Sequence, residues 1–141
     1  MLVDWKFIKN DVEIEFDFKK NDIRIGGKEK ASFGKGARAI INTAFMISIL
    51  QYTIERGLSH PSFVIIDSPL TTFKEKDKKN GELNEEVEES IKQAFFRSLS
   101  EKLLDYQIIV LDNVDLDKKL ENVNYCYFTG NGEINRKGFI P

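Results

Sequence analysis

Two short apolar runs, separated by a segment long enough for a helix, constrain the fold more than any other feature of this sequence. They are Phe63–Asp67 and Gln107–Leu111. A strand that is apolar at successive positions is typical of a parallel sheet covered on both faces. The intervening segment predicts a helix over 84–104, and a strand, a helix and a strand in this order form a parallel pair. We therefore predict an α/β fold with a mostly parallel core sheet.

A second helix is predicted over 36–56, ahead of the first run. Apolar side chains cover most of its circumference, which is typical of a helix in the middle of a fold. Arg56 and Gly57 follow and are expected to close it. This stretch is not predicted to span a membrane, because polar residues such as Arg38 and Gln51 interrupt it.

The N-terminal part of the chain, residues 1–30, alternates between apolar and polar side chains. Trp5 and Phe7 lie two positions apart in the first run. Within 12–18 the apolar residues also recur at every second position, and acidic residues occupy the positions between them. Period two predicts an antiparallel meander with one face in water. We expect a single domain with this meander, a core over 31–115, and short strands within 116–141, at 123–128 and from 134 onward.

Composition excludes several classes of function. The net charge of −2 over 141 residues argues against a generic polyanion-binding protein. The one cysteine, Cys126, can form no internal disulfide and suits a reducing cytoplasm, where we expect it as a small buried strand residue. The first residues carry charges where a secretory signal would be apolar, so no signal is predicted.

Three positions could carry chemistry. Asp67 ends the first apolar strand, where open α/β sheets bind ligands and a carboxylate can hold Mg²⁺; the alternative is a cap for the turn at Ser68-Pro69. The loop Ser32–Gly36 leads into a helix whose first amides can bind an anion, or it is a plain helix start. Asp112 and Asn113 follow the second strand and either face the same edge or cap a short helix near 116–120.

In their order and spacing, these segments resemble the C-terminal lobe of ABC-type ATPase heads, most closely the SMC, RecN and RecF branch and its relatives in genome maintenance and phage defence. Ser32–Gly36 is similar to the signature motif, with Phe33 where a glycine is expected. Phe63–Asp67 is similar to Walker B, Ser68–Phe73 to the D-loop, and Leu111–Val114 to the switch region. The resemblance covers about residues 30–115, and the ending Gly138–Pro141 is also similar.

The resemblance implies a P-loop NTPase-like half-domain that works on ATP and Mg²⁺. Asp67 would act on Mg²⁺ in its own head, and Ser32, Gly34, Lys35 and Gly36 would contact the nucleotide of a partner head. The implied partners are an N-terminal lobe with a Walker A motif, a second head in an ATP-dependent dimer, and DNA.

The chain departs from the family pattern in ways that bear on activity. It contains no Gly-x-x-x-x-Gly-Lys-Ser/Thr, so we expect the isolated chain to be inactive. Ser68 stands where the family places the glutamate that polarises water, with Glu75 and Glu82 as conceivable substitutes. Asn113 stands nearest to the switch histidine, and an amide cannot act as an imidazole does.

Two other functions remain open from the sequence. One is a non-catalytic interaction or regulatory module derived from such a lobe, which Ser68 and Asn113 favour. Alternatively, Asp67 and Asp112 hold a metal in a phosphatase-like or nuclease-like site. The second leaves the loop at Ser32–Gly36 unexplained.

Overall fold

The chain folds into an α/β structure, seen in a computed structural model that describes residues 1–70, 85–113 and 119–128, with the backbone alone at 85–90. The elements are β1 (Ile14–Asp17), β2 (Asp22–Ile25), β3 (Lys28–Glu29), α1 (Lys35–Glu55), β4 (Phe63–Asp67), α2 (Glu85–Lys102) and β5 (Gln107–Leu111). Strands β1, β2 and β3 form an antiparallel sheet, and β4 pairs with β5 in parallel. The predicted α/β class and parallel pairing are confirmed.

Helix α1 is 21 residues long and supplies much of the core. At its C-terminal end, Leu58 N donates to Thr53 O over 2.8 Å and Gly57 N donates to Ile54 O over 3.0 Å. This pair of bonds is a Schellman motif, and Gly57 takes its left-handed position with a φ of 63°. The helix predicted over 36–56 and its closure at Gly57 are confirmed. In the ranges that the structure describes, no helix is long and apolar enough to cross a bilayer.

One cluster of buried side chains joins the N-terminal segment, the antiparallel sheet, β4 and both helices. The aromatic pair in it is Trp5, which is completely buried, and Phe95 of α2, whose ring centroids lie 4.8 Å apart in a T-shaped arrangement. The buried members are Leu2, Trp5, Ile23, Ile25, Ile40, Ile41, Ala44, Ile47, Leu50, Val64, Ile66, Leu70, Phe95 and Leu103. The core therefore lies between α1, α2 and one face of β4.

The N-terminal segment is not a strand, and the prediction for Trp5 and Phe7 is wrong. Trp5 N donates to Met1 O over 2.9 Å and Phe7 N donates to Leu2 O over 3.0 Å, so the segment forms turns. Lys6 has a φ of 57°, which interrupts any extended run. Two aromatic residues are too few to establish period two, and the indole of Trp5 is held by burial in the core instead.

The parallel pair β4–β5 is covered on one face, whereas the sequence predicted cover on both. Val64 and Ile66 are buried in the core, but Ile65 is 50% exposed on the opposite face. Ile109, directly opposite Ile65 in the register, is also exposed. A run of apolar residues does not reveal whether the second face is covered within the chain or by another polypeptide.

The segment 123–128 contains no regular strand, contrary to the prediction. The rings of Tyr125 and Tyr127 stack on each other at 6.1 Å, and the Tyr125 hydroxyl accepts a hydrogen bond from Leu120 N over 2.9 Å. Cys126 between them is exposed, although burial was predicted. The two tyrosines are thus accommodated by local stacking, and only Phe128 at the end of the segment lies in a β-bridge. The strand predicted from residue 134 lies outside the described residues.

Candidate functional site

Asp67 is the last residue of β4, and its side chain is exposed at the carboxyl end of the parallel pair. The register sets Asp67 opposite Leu111, the last residue of β5. The residues that follow both strands therefore leave the sheet at one edge, which is where open α/β sheets bind their ligands. This is the placement that the sequence predicted for Asp67.

Ser68 turns the chain sharply away from β4. Its φ is 49°, in the left-handed region, which costs a residue with a side chain about 1–2 kcal/mol. Ser68 N donates to Leu111 O, and Ser68 Oγ donates to Asp67 Oδ1, both over 2.7 Å. The next residue, Pro69, is fully buried. These contacts hold Ser68 in its strained conformation, and backbone strain of this kind clusters at functional sites.

Asp112 fixes the segment that follows Ser68. Its Oδ2 accepts a hydrogen bond from Leu70 N over 3.2 Å, across 42 positions of sequence. Leu70 is itself part of the buried core. Asp112 therefore ties the turn after β4 to the end of β5, a role that neither sequence interpretation of this residue included. The short helix that it was expected to cap, near 116–120, falls mostly outside the described residues.

Asn113, the predicted switch residue, is exposed in the bend directly after β5. It lies at the same edge as Asp67, as predicted from the parallel order. Glu75 and Glu82 lie outside the described residues. In the described part of the chain, no group of three or more His, Cys, Asp or Glu residues is arranged to hold a metal ion.

The loop Ser32–Gly36 forms the entry to α1. Ser32 is exposed in a 3₁₀ turn and its Oγ donates to Glu29 O over 2.7 Å. Gly34 is the N-cap of α1, without a side-chain capping bond, and Lys35 and Gly36 are the first helical residues. The positive end of the helix dipole is therefore not covered by a capping side chain and can attract an anion.

Neither glycine of this loop is required by the backbone conformation. Gly34 has φ −62° and ψ 162°, which any residue adopts, and Gly36 lies within the helix. Ser or Asp is a better N-cap than glycine, and glycine in a helix is about 1 kcal/mol less favourable than alanine. What glycine contributes at position 34 is the lack of a side chain, which allows a ligand to approach the backbone closely.

The structure does not directly join the two predicted sites, which are the helix start at Ser32–Gly36 and the turn at Asp67 and Ser68. Helix α1 packs against β4, but no hydrogen bond or ion pair links Ser32 or Lys35 to Asp67 or Ser68 within the described residues. Each site is held by its own hydrogen bonds, which are local at Ser32 and long-range in the turn after Asp67. The bond from Leu70 to Asp112 was missed by sequence reasoning, because a contact over this separation leaves no local pattern.

Comparisons with known proteins give no further identification. No protein-family model matches the chain, and neither curated proteins nor solved structures give a match. The site must therefore be interpreted from its own residues: an exposed carboxylate at a parallel strand end, a strained and tethered turn beside it, and a glycine-capped helix start.

Proposed function

We propose that the chain is the C-terminal lobe of an SMC-like ATPase head, a P-loop NTPase-like half-domain completed by an N-terminal lobe that carries a Walker A motif. The observation that carries this proposal is Asp67, exposed at the carboxyl end of β4 and followed by a turn that two long-range bonds hold in place. In this function Asp67 takes the Walker B position. The helix start at Ser32–Gly36 faces the nucleotide of a second head.

The chemistry of Asp67 suits Mg²⁺ held beside phosphates. Its Oδ1 accepts the hydrogen bond from Ser68, while Oδ2 has no hydrogen bond with any described residue. Mg²⁺ commonly takes one or two carboxylates and completes its shell with waters and substrate phosphates. A single exposed carboxylate is therefore a sufficient contribution from this lobe. ATP with Mg²⁺ supplies the phosphoryl group, and Asp67 would orient the ion.

The helix start supports the second half of the proposal. Gly34 leaves the first amides of α1 open to a phosphate, and Lys35, which is exposed, adds a positive charge at the same place. Within the described residues they form no bond with Asp67, and we propose that they serve a nucleotide bound by another head. An ATP-dependent head dimer follows from this division of roles.

The exposed face of β4–β5 supports a missing lobe. Parallel sheets occur almost only with both faces covered. On this pair, Phe63, Ile65, Ile109 and Leu111 stay exposed on one face. We propose that the Walker A lobe packs near this face. DNA is the further partner implied by the resemblance, in genome maintenance or phage defence.

A second candidate function is a non-catalytic module derived from such a lobe. Ser68 favours it, because its hydroxyl donates a hydrogen bond to Asp67 and offers no base to a water. Asn113 provides only an amide at the switch position. The two candidates differ in turnover: the module would bind MgATP with a Walker A lobe but would not hydrolyse it.

The test combines the full chain with a Walker A-bearing lobe, and measures MgATP binding by calorimetry and dimer formation by sedimentation. We expect negligible binding by the isolated chain and binding by the pair. Asp67→Asn should weaken Mg²⁺-dependent binding by the pair about tenfold or more. Asp105→Asn, at an exposed acid before β5, is the matched control and should change nothing. Equal MgATP binding by the Asp67→Asn and unaltered pairs would contradict the assignment.

A further inference from the structure

Strand β1 and the turn after it carry an exposed apolar surface, the β1 face, formed by Ile14 and Phe16 of the strand, Phe18 of the turn and Phe45 of α1. Phe18 is 83% exposed, and the other three are exposed as well. Phe16 meets Phe18 edge-on at 5.2 Å and stacks with Phe45 at 6.0 Å. A cavity of about 340 Å³ opens at this surface. Its apolar lining includes Ile14, Phe16, Ile23, Ile41, Ala44 and Phe45.

Among the described residues, β1 pairs on one side only, as an edge strand of the antiparallel sheet. Gly26 N donates to Glu13 O over 2.8 Å, so the peptide groups of Glu13 point toward β2. In an antiparallel ladder this direction alternates along the strand. Ile14 and Phe16 therefore direct their N–H and C=O groups to the open edge. Such an edge is a template for a further strand.

The opposite face of β1 is acidic. Glu13 and Glu15 are exposed and form no ion pair with any described residue, and Asp17 follows with the same parity. Three of the nearby cations are engaged elsewhere. Lys20 pairs with Glu29, Lys30 with Asp22, and the Arg24 guanidinium donates to Gly27 O over 2.8 Å.

We propose that an extended segment of a partner polypeptide, with apolar residues alternating with Lys or Arg, binds along β1 as an added strand. Its backbone would pair with Ile14 and Phe16. Alternate apolar side chains would cover the β1 face and enter the cavity, while the basic ones would lie beside Glu13 and Glu15. This mode of recognition takes affinity from the main chain and specificity from alternate side chains.

The charges select this occupant over two others. A second copy of the chain, paired through β1, would bring Glu13 and Glu15 opposite like charges, which is destabilising in a sheet. A nucleic acid would meet the same carboxylates with its phosphates. A basic and apolar strand has neither conflict.

The test uses the full chain and a labelled peptide of about eight residues in which Lys alternates with Val and Ile. We expect saturable binding by fluorescence anisotropy, weakened by salt. A peptide of the same composition with the alternation scrambled, and one N-methylated at the residues that pair with β1, should bind at least about tenfold more weakly, equivalent to about 1.4 kcal/mol. Equal binding of the scrambled or the N-methylated peptide would overturn the proposal.

Variants of the chain locate the site. Glu15→Lys should weaken binding about tenfold, with Glu101→Lys, at an exposed acid on α2, as the charge-matched control without effect. Phe18→Ser, which removes a side chain that contributes little to the fold, should also weaken binding, whereas Leu104→Ser at another exposed position should not. No change with either Glu15→Lys or Phe18→Ser would place the peptide elsewhere. The assay contains no nucleotide, so its result is independent of the ATPase proposal.

Discussion

At the residue scale, Ser68 combines an unfavourable backbone conformation with several contacts that maintain it. Ser68, which has the left-handed φ, donates hydrogen bonds to Leu111 O and to Asp67 Oδ1. The next residue, Pro69, is buried. A residue before proline is already excluded from much of the right-handed helical region. The strain therefore persists because the turn must leave β4 in a fixed direction, with Asp67 held at the sheet edge.

Glycine and alanine at position 68 should separate strain from hydrogen bonding. Both remove the bond to Asp67, but only alanine keeps the left-handed penalty of about 1–2 kcal/mol. We expect Ser68→Gly to be more stable than Ser68→Ala by about 1 kcal/mol in urea unfolding. Ser62, with a φ of 66°, should show the same order. Ser48, inside α1, should show the reverse, since alanine is the better helix former. Equal stability of the two Ser68 variants would contradict the strain.

Position 34 offers a test in which fold and function change in opposite directions. Asp is a better N-cap than glycine and favours the positive end of the helix dipole. Gly34→Asp should therefore raise the free energy of unfolding by a few tenths to about 1 kcal/mol. It should also abolish ATP-dependent dimerisation of the completed head, because a carboxylate would occupy the anion position. If Gly34→Asp left dimerisation intact, the loop would not contact a phosphate.

At the scale of elements, sequence patterns predicted those segments in which local and tertiary requirements agree. Helix α1 has both an apolar circumference and a glycine where a left-handed residue is needed, and the β4–β5 pair has two apolar runs at helix-length separation. The strand predictions for the segments around Trp5 and Tyr125 were wrong because the alternation of apolar residues in each is short. The Trp5 ring is buried in the core and the Tyr125 ring stacks on Tyr127. Neither arrangement produces a periodic pattern in the sequence.

The N-terminal segment is also tied to α2 by an ion pair between Asp4 and Lys102. The hydrogen bond from Lys102 lowers the pKa of Asp4 below its ordinary value. Both side chains are partly exposed, so Asp4→Asn should cost less than about 1 kcal/mol at neutral pH. Because the folded-state pKa is lowered, this contribution is present above the unfolded value of about 3.9 and is lost as the pH falls through the folded value.

Unfolding of the unaltered chain and of Asp4→Asn should therefore converge in acid. Urea unfolding at neutral pH and at about pH 3 measures the difference directly. Lys102→Met should also converge with the unaltered chain in acid, but at a smaller neutral-pH cost, because Asp4 keeps its ion pair with the N-terminal ammonium of Met1 at 3.0 Å. A difference that stayed constant over this range would mean that Asp4 acts by packing and not through its charge.

At the scale of the whole molecule, the sequence predicted where Asp67 and Asn113 lie but not how the site is held. Parallel order brings both strand ends to one edge, and this follows from the two apolar runs alone. The bond from Leu70 N to Asp112 depends on the path of the chain after Pro69 and on the exact length of β5. The open face of β4–β5 was missed for a related reason: the pattern records that a face is apolar, and not what covers it.

That open face leads to a prediction for the isolated chain. Ile65 and Ile109 are paired across the strands and exposed, so burying them between copies is favourable by about 25 cal/mol per Å² of apolar surface. We expect concentration-dependent self-association in sedimentation velocity. Ile65→Thr with Ile109→Thr keeps β-branched residues in both strands and should reduce this association without loss of the fold. Leu58→Thr with Leu104→Thr, at exposed positions outside the sheet, is the matched control.

The same pair of threonine variants connects the open face to the missing lobe. If the Walker A lobe packs near β4–β5, it should suppress self-association of the unaltered chain, and the double threonine variant should bind that lobe more weakly than the control does. Self-association and lobe binding would then compete for one surface. If the threonine variant lost self-association but bound the lobe normally, the lobe would lie elsewhere, and the apolar face of β4–β5 would have to be assigned to a different contact.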